Sequence, residues 1–262
     1  MLSLFSVSDR LFNATENYLE GASARRWIAT LLTTSFFVAL IVIEINRQSW
    51  LPSPFADRLP TNHFYAVDVA FTLFLVIEVI ELVLGLATSV ADALGKQFEI
   101  FSLILLRQSF KELVDFQEPI QWSLGDEATR EAVQRVVADA TGALAIFVII
   151  GFYYTLQRHR RITETAAEQR RFVRYKKLLS NVLLLILLGL GLYTIGQYAM
   201  NGHTVAFFDT FYTVLIFSDV LIVLLSLRYS TTYYVVFRNS GFAAATVMIR
   251  LALAGPRYID AL

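Results

Sequence analysis

Apolar residues gather in seven stretches, at 27–46, 64–87, 98–116, 141–157, 178–199, 205–228 and 241–259. Several reach the ~20 residues that a helix needs to cross a ~30 Å hydrocarbon core. The pattern predicts an all-α polytopic membrane protein of about seven transmembrane helices. The third stretch is the least apolar, because it carries Arg107, Lys111 and Glu112. Residues 1–26 lack a basic start followed by a compact apolar run, so they do not read as a signal peptide. They read as a cytoplasmic amphipathic helix lying on the membrane. Residues 126–140 are also amphipathic and lead as a surface helix into the fourth span.

The polar segments set the orientation. RHRRITETAAEQRRFVRYKK, between the fourth and fifth spans, holds eight Lys/Arg against two Glu. Arg25 and Arg26 precede the first span, and Arg228 and Arg238 lie between the sixth and seventh. A seven-span count puts all of these on one side, which is cytoplasmic by the positive-inside rule. The far side receives WLPSPFADRLP, the acidic segment FQEPIQWSLGDEATREAVQ and the turn MNGH. We read the basic linker as a topology determinant; a patch for anionic lipid or nucleic acid is the alternative.

Composition narrows this further. The formal net charge is zero, so no global basic field points to nucleic acid. There is no cysteine, which removes disulfides, thiolate catalysis, Cys zinc sites and Fe–S clusters. No P-loop, G-x-G-x-x-G, H-E-x-x-H, G-x-S-x-G or T-V-G-Y-G motif is present. No helix repeats arginine at every third position, which argues against a voltage sensor. N-A-T at 13–15 matches a glycosylation acceptor but falls on the cytoplasmic side. Trp50, Tyr65, Tyr153, Tyr154, Tyr233 and Tyr234 lie near span ends, as an interfacial anchoring belt does.

The chain carries an internal repeat. DVAFTLFLVIEVIELVLGL (68–86) aligns without gaps on DTFYTVLIFSDVLIVLLSL (209–227). Asp68 falls on Asp209, Phe71 on Tyr212, Thr72 on Thr213 and Glu78 on Asp219. His63 and His203 fall within one residue of each other. Lys96 lies 18 residues after Glu78, and Arg238 lies 19 after Asp219. Arg107 follows Glu78 by 29 residues, and Arg250 follows Asp219 by 31. Matched charges within apolar helices carry the argument, since aliphatic matches arise by chance. The expected division is an N-terminal segment 1–26, a first three-helix repeat 27–116, a connecting region 117–177 and a second repeat 178–262. The fourth span inverts the chain, so the repeats are parallel.

Charge inside the bilayer supplies the candidate sites. Counting ~1.5 Å per residue from the cytoplasmic ends puts Glu78 level with Arg107, and Asp219 level with Arg250. A lone charge at a helix centre costs about 2.5–3.5 kcal/mol, and a guanidinium partner removes most of that. Each pair is expected either to staple its hairpin or to open as a gate or proton site. Glu81 lies one turn from Glu78, and its repeat counterpart is Ile222. Two carboxylates so close favour a shared proton or cation, which makes Glu81 the candidate ion or proton site. Glu44, at the outer end of the first span, is expected to snorkel, while Lys96 and Arg238 anchor to headgroups. His63, Asp68, His203 and Asp209 form an outer-face polar cluster whose spacing matches no metal motif.

The repeated unit resembles the phosphate-starvation-inducible PsiE family of small bacterial membrane proteins. The likeness rests on Asp219 in FSDVLIVLLSLRY, Arg238 in VVFR and Arg250 in TVMIRLALA, with a second copy in Glu78, Lys96 and Arg107. It covers two helices per repeat, and this chain is about twice the usual family length. The resemblance implies a bacterial inner-membrane protein and supplies no reaction. The expected function is non-enzymatic, without cofactor or metal. It is a transporter or channel-like role with a site between the repeats, or an accessory, scaffold or sensory role in a larger complex. The expected partners are the bilayer, other membrane proteins or further copies of the chain, and no nucleic acid.

Overall fold

The computed structural model describes residues 2–52, 56, 59–88, 90–113, 127–156, 166–201, 207–229 and 233–253. Among these residues there are eight helices and no strand. They are α1 (Leu2–Glu20), α2 (Ala22–Arg47), α3 (Phe64–Thr88), α4 (Val90–Glu112), α5 (Glu127–Leu156), α6 (Ala166–Asn201), α7 (Phe207–Tyr229) and α8 (Tyr233–Leu253). By length and composition α2, α3, α5 and α6 can each cross a membrane. Helices α7 and α8 contain shorter apolar runs, Thr210–Leu225 and Ser240–Ile249. The chain is therefore a multi-pass helical membrane protein. All backbone groups of such helices bond within the helix, which hydrocarbon requires.

Several boundaries depart from the apolar pattern, among them the start of α8, at Tyr233 rather than 241. Helix α4 begins at Val90 rather than near 98, because Ala91, Ala93 and Leu94 sustain the helix through the polar residues Asp92, Lys96 and Gln97. Helix α6 begins at Ala166, so the second half of the basic linker is helical and α6 runs for 36 residues. At 1.5 Å per residue it is about 54 Å long, well beyond one hydrocarbon thickness. The amphipathic segment before the fourth span is helical, and it joins that span as the single 30-residue α5.

The chain forms two compact units. One collects Met1–Leu19, Ile80–Phe98 and Phe152–Ile259; the other holds Glu20–Val79 and Glu99–Gly151. In the first unit α6 packs on α7, and α7 on α8. Helix α1 packs on protein rather than resting on lipid alone. Phe12 is fully buried against Leu84 and Ala87, with Leu19, Ile80 and Leu184 around it. Polar contacts fix the docking. Asn181 Nδ2 donates to Ser8 Oγ at 2.8 Å, and Lys177 Nζ donates to Asn13 Oδ1 at 2.5 Å. Arg174 Nε lies 3.7 Å from Asp9 Oδ2. The Lys177 ammonium also sits 4.9 Å from the centre of the Phe12 ring. The opposite face of α1 exposes Val7, Leu11 and Tyr18, an apolar stripe at helical spacing that suits an interface. Ser180 Oγ ties α6 to α3 by donating to the Val83 carbonyl at 2.6 Å.

In the second unit the end of α2 closes in a Schellman motif. The Ser49 amide donates to the Asn46 carbonyl at 3.0 Å, and the Trp50 amide to the Ile45 carbonyl at 3.2 Å. Ser49 has φ 58°, the left-handed conformation that glycine normally supplies. Asn46 is buried, and its side-chain amide donates to the Leu59 carbonyl at 2.8 Å. The residues after α2 are thus drawn back onto its last turn. Helices α4 and α5 run antiparallel, with Ser102 Oγ donating to the Ala143 carbonyl at 3.0 Å and Ser109 Oγ to the Val136 carbonyl at 3.3 Å.

Two outcomes follow. Ser49→Gly relieves the left-handed strain and raises stability by about 1 kcal/mol, read as thermal unfolding in detergent. An unchanged or lower midpoint rejects the strain. Phe12→Ala empties the α1 anchor, at a local cost of about 3–5 kcal/mol. Limited proteolysis then cuts between α1 and α2 many times faster than in the wild type; equal cleavage rates reject the anchoring role.

Candidate functional site

Helix α4 carries cations and acids along apolar surroundings, and neighbouring helices answer them. In the second unit Arg107 engages Asp68 on α3. Its Nε lies 2.9 Å from Oδ1, and its Nη2 donates to Oδ2 at 3.3 Å. Both side chains are about three-quarters buried. Phe71 and Phe110 pack beside them with ring centres 5.2 Å apart. At the end of α4, Arg135 Nε donates to Glu112 Oε2 at 2.7 Å, and the Glu112 side chain is 4% exposed. The same guanidinium also lies 3.6 Å from Glu131, one turn away on α5. In the first unit Lys96 Nζ lies 2.9 Å from Glu81 Oε2.

These pairings revise the expected ones. Arg107 meets Asp68, not Glu78. The level-matching estimate took α3 to end at 87 and α4 to begin at 98. The helices instead end at Thr88 and begin at Val90, so every α4 residue is displaced relative to α3. In this antiparallel register partners sum to about 175–181, as Asp68 with Arg107, Phe71 with Phe110 and Glu81 with Lys96 all do. Glu81, expected to lack a countercharge, has one in Lys96. Lys96 in turn is an ion-pair partner rather than only a headgroup anchor. The Glu112–Arg135 pair was not read from the sequence, although both residues stand at the mouths of adjacent helices.

The outer-face cluster also separates. His63 Nε2 contacts Glu44 Oε2 at 3.1 Å, and Gln48 Nε2 donates to Glu44 Oε1 at 2.6 Å. Glu44 is therefore held by two side chains and does not simply snorkel. Asp68 belongs to Arg107 instead. His203 lies outside the described residues, as do the side chains of Asp209, Arg238 and Arg250. The expected Asp219–Arg250 pair thus lies outside the described residues. Glu78 and Asp219 are both buried, at 9% and 5% exposure. Among the described residues no group of three or more His, Asp or Glu is arranged to hold a metal ion.

Chemically, the closed pairs satisfy charge. What the arrangement does directly is orient helices: each pair forms at one rotation of α4 about its axis. Gly95 allows Tyr154 to approach α4 beside Lys96, where an added Cβ would stand 2.7 Å from the tyrosine oxygen. No protein-family model matches this chain, and no curated protein and no solved structure shows significant similarity to it.

Arg107→Gln leaves the Asp68 carboxylate alone and lowers stability by about 2.5–3.5 kcal/mol. The exchange Asp68→Arg with Arg107→Asp recovers most of the loss. Thermal unfolding of the wild type, both single variants and the exchange checks this; an exchange no better than the worse single variant rejects the pair.

Proposed function

We propose that the chain is a non-enzymatic accessory or scaffold subunit of a larger assembly in a bacterial inner membrane. The observation that carries this reading is the mutual neutralisation of Asp68 with Arg107, Glu81 with Lys96 and Glu112 with Arg135. Two of the charges that first suggest a conduction path, Glu81 and Arg107, are occupied in holding helices together. Surfaces of α2, α5 and α6 support the same reading. Only 6%, 11% and 17% of their apolar windows are buried within the chain, against 39% for α3. Seven spans in two parallel three-helix repeats, with the N-terminus cytoplasmic, complete the proposal. The spacing of Asp219, Arg238 and Arg250 keeps the PsiE resemblance part of it.

A second reading has its own support. Glu78 and Asp219 are buried acids at repeat-equivalent positions, as a duplicated transport site would place them. In that case the chain is a transporter or channel lined by Glu78, Glu81 and Asp219.

One pair of measurements separates the readings. Affinity purification of the tagged chain from native membranes yields stoichiometric membrane-protein partners, and proteoliposomes of the chain alone pass no ions or protons under an imposed gradient. Flux that falls about tenfold or more in Glu78→Gln or Asp219→Asn, as loss of an essential site charge does, overturns the scaffold reading in favour of transport.

A further inference from the structure

The last turns of α2 form one wall of a groove of about 590 Å³ in the second unit. Phe37, Ile41 and Ile45 line it at four-residue spacing. They make an apolar track about 12 Å long, by the rise of the helix. At one end of the track stands a polar pole, Glu44 with Gln48 and His63. Trp50 also lines the groove and is 74% exposed. The Schellman closure at Ser49 sets it there, just beyond the helix end.

This is the shape of an amphiphile site: a long apolar wall with few polar groups gathered at one end. The pole has a definite charge preference. Glu44 accepts one hydrogen bond on each oxygen, from Gln48 and His63, and a carboxylate has about four acceptor sites. Acceptor capacity therefore remains on an aimed carboxylate whose side chain is 47% exposed. Gln48 brings no charge. Arg47, three residues along, is exposed and does not line the groove.

We infer that the groove binds a phospholipid with a primary ammonium headgroup. Its acyl chain follows Phe37, Ile41 and Ile45, and its ammonium donates to Glu44. Trp50 offers an indole face to the cation and an N–H to the phosphate. A trimethylated headgroup has no N–H to donate, and an anionic headgroup meets the Glu44 charge. The site takes no part in the ion pairs of α4, so it stands or falls apart from the scaffold reading.

The test offers the delipidated full chain, in detergent, an equimolar mixture of dioleoyl phosphatidylethanolamine, phosphatidylcholine and phosphatidylglycerol. Native mass spectrometry counts the bound lipids. The wild type retains the ethanolamine lipid over each of the others by roughly fivefold, the size of one partly exposed ion pair. Glu44→Gln brings the ethanolamine lipid level with the choline lipid, while Glu127→Gln, which alters an exposed carboxylate that does not line the groove, keeps the preference. If Glu44→Gln does not fold, Glu44→Asp gives the reading: the shortened carboxylate keeps only part of the preference, while Trp50→Ala lowers retention of the ethanolamine and choline lipids alike. Equal retention of the three lipids by the wild type, a preference for the glycerol lipid, or an ethanolamine preference unchanged in Glu44→Gln or Glu44→Asp overturns the site.

Discussion

A charge drawn between packed helices needs its opposite on an adjacent helix, and α4 is organised by that requirement. It carries Lys96, Arg107 and Glu112, and each faces a countercharge contributed by a neighbour. Two of those neighbours lie on α3 and one on α5. Hydrophobic burial cannot supply the same specificity, since lipid chains are as apolar as leucine. The polar pairs therefore do what the apolar faces cannot, which is to choose one rotation and one register from many of similar packing energy. Serine hydroxyls at 102 and 109 reinforce that register between α4 and α5 by donating to backbone carbonyls.

The sequence made the helical class and four of the spans legible, because a run of apolar residues and its flanking charges are local signals. It also made legible that Glu78, Glu81 and Arg107 need compensation, while Asp68 reads there as part of an outer-face polar cluster. Which acid meets which base was not legible, because pairing depends on where α3 stops and α4 starts. A change of a few residues at that junction slides every partner, and Ala91, Ala93 and Leu94 give no hint of a loop or a helix on hydropathy alone. The Glu44–His63 contact was hidden for another reason. It joins the end of one span to the start of the next, 19 residues apart, through a segment that hydropathy treats as featureless.

The N-terminal helix illustrates how an amphipathic pattern can have two recipients. Its periodicity was consistent with lipid, yet the aromatic at its centre, Phe12, is covered by α3 and α6 side chains. The residual stripe of Val7, Leu11 and Tyr18 remains for the interface. Helix α6 can hold α1 because it extends well below its apolar run and carries Arg174, Lys177 and Asn181 to the level of the α1 polar face. The basic stretch before the fifth span thus has an internal structural use beside its bearing on orientation.

The order in which these partners leave the ribosome gives the ion pairs a further meaning. Asp68 is synthesised 39 residues before Arg107, so the arginine meets a waiting carboxylate as α4 emerges. Glu112 is made 23 residues before Arg135, so that pair closes only once α5 follows. Helix α4 thus closes its contacts in two stages, with α3 as it emerges and with α5 only when the next helix follows.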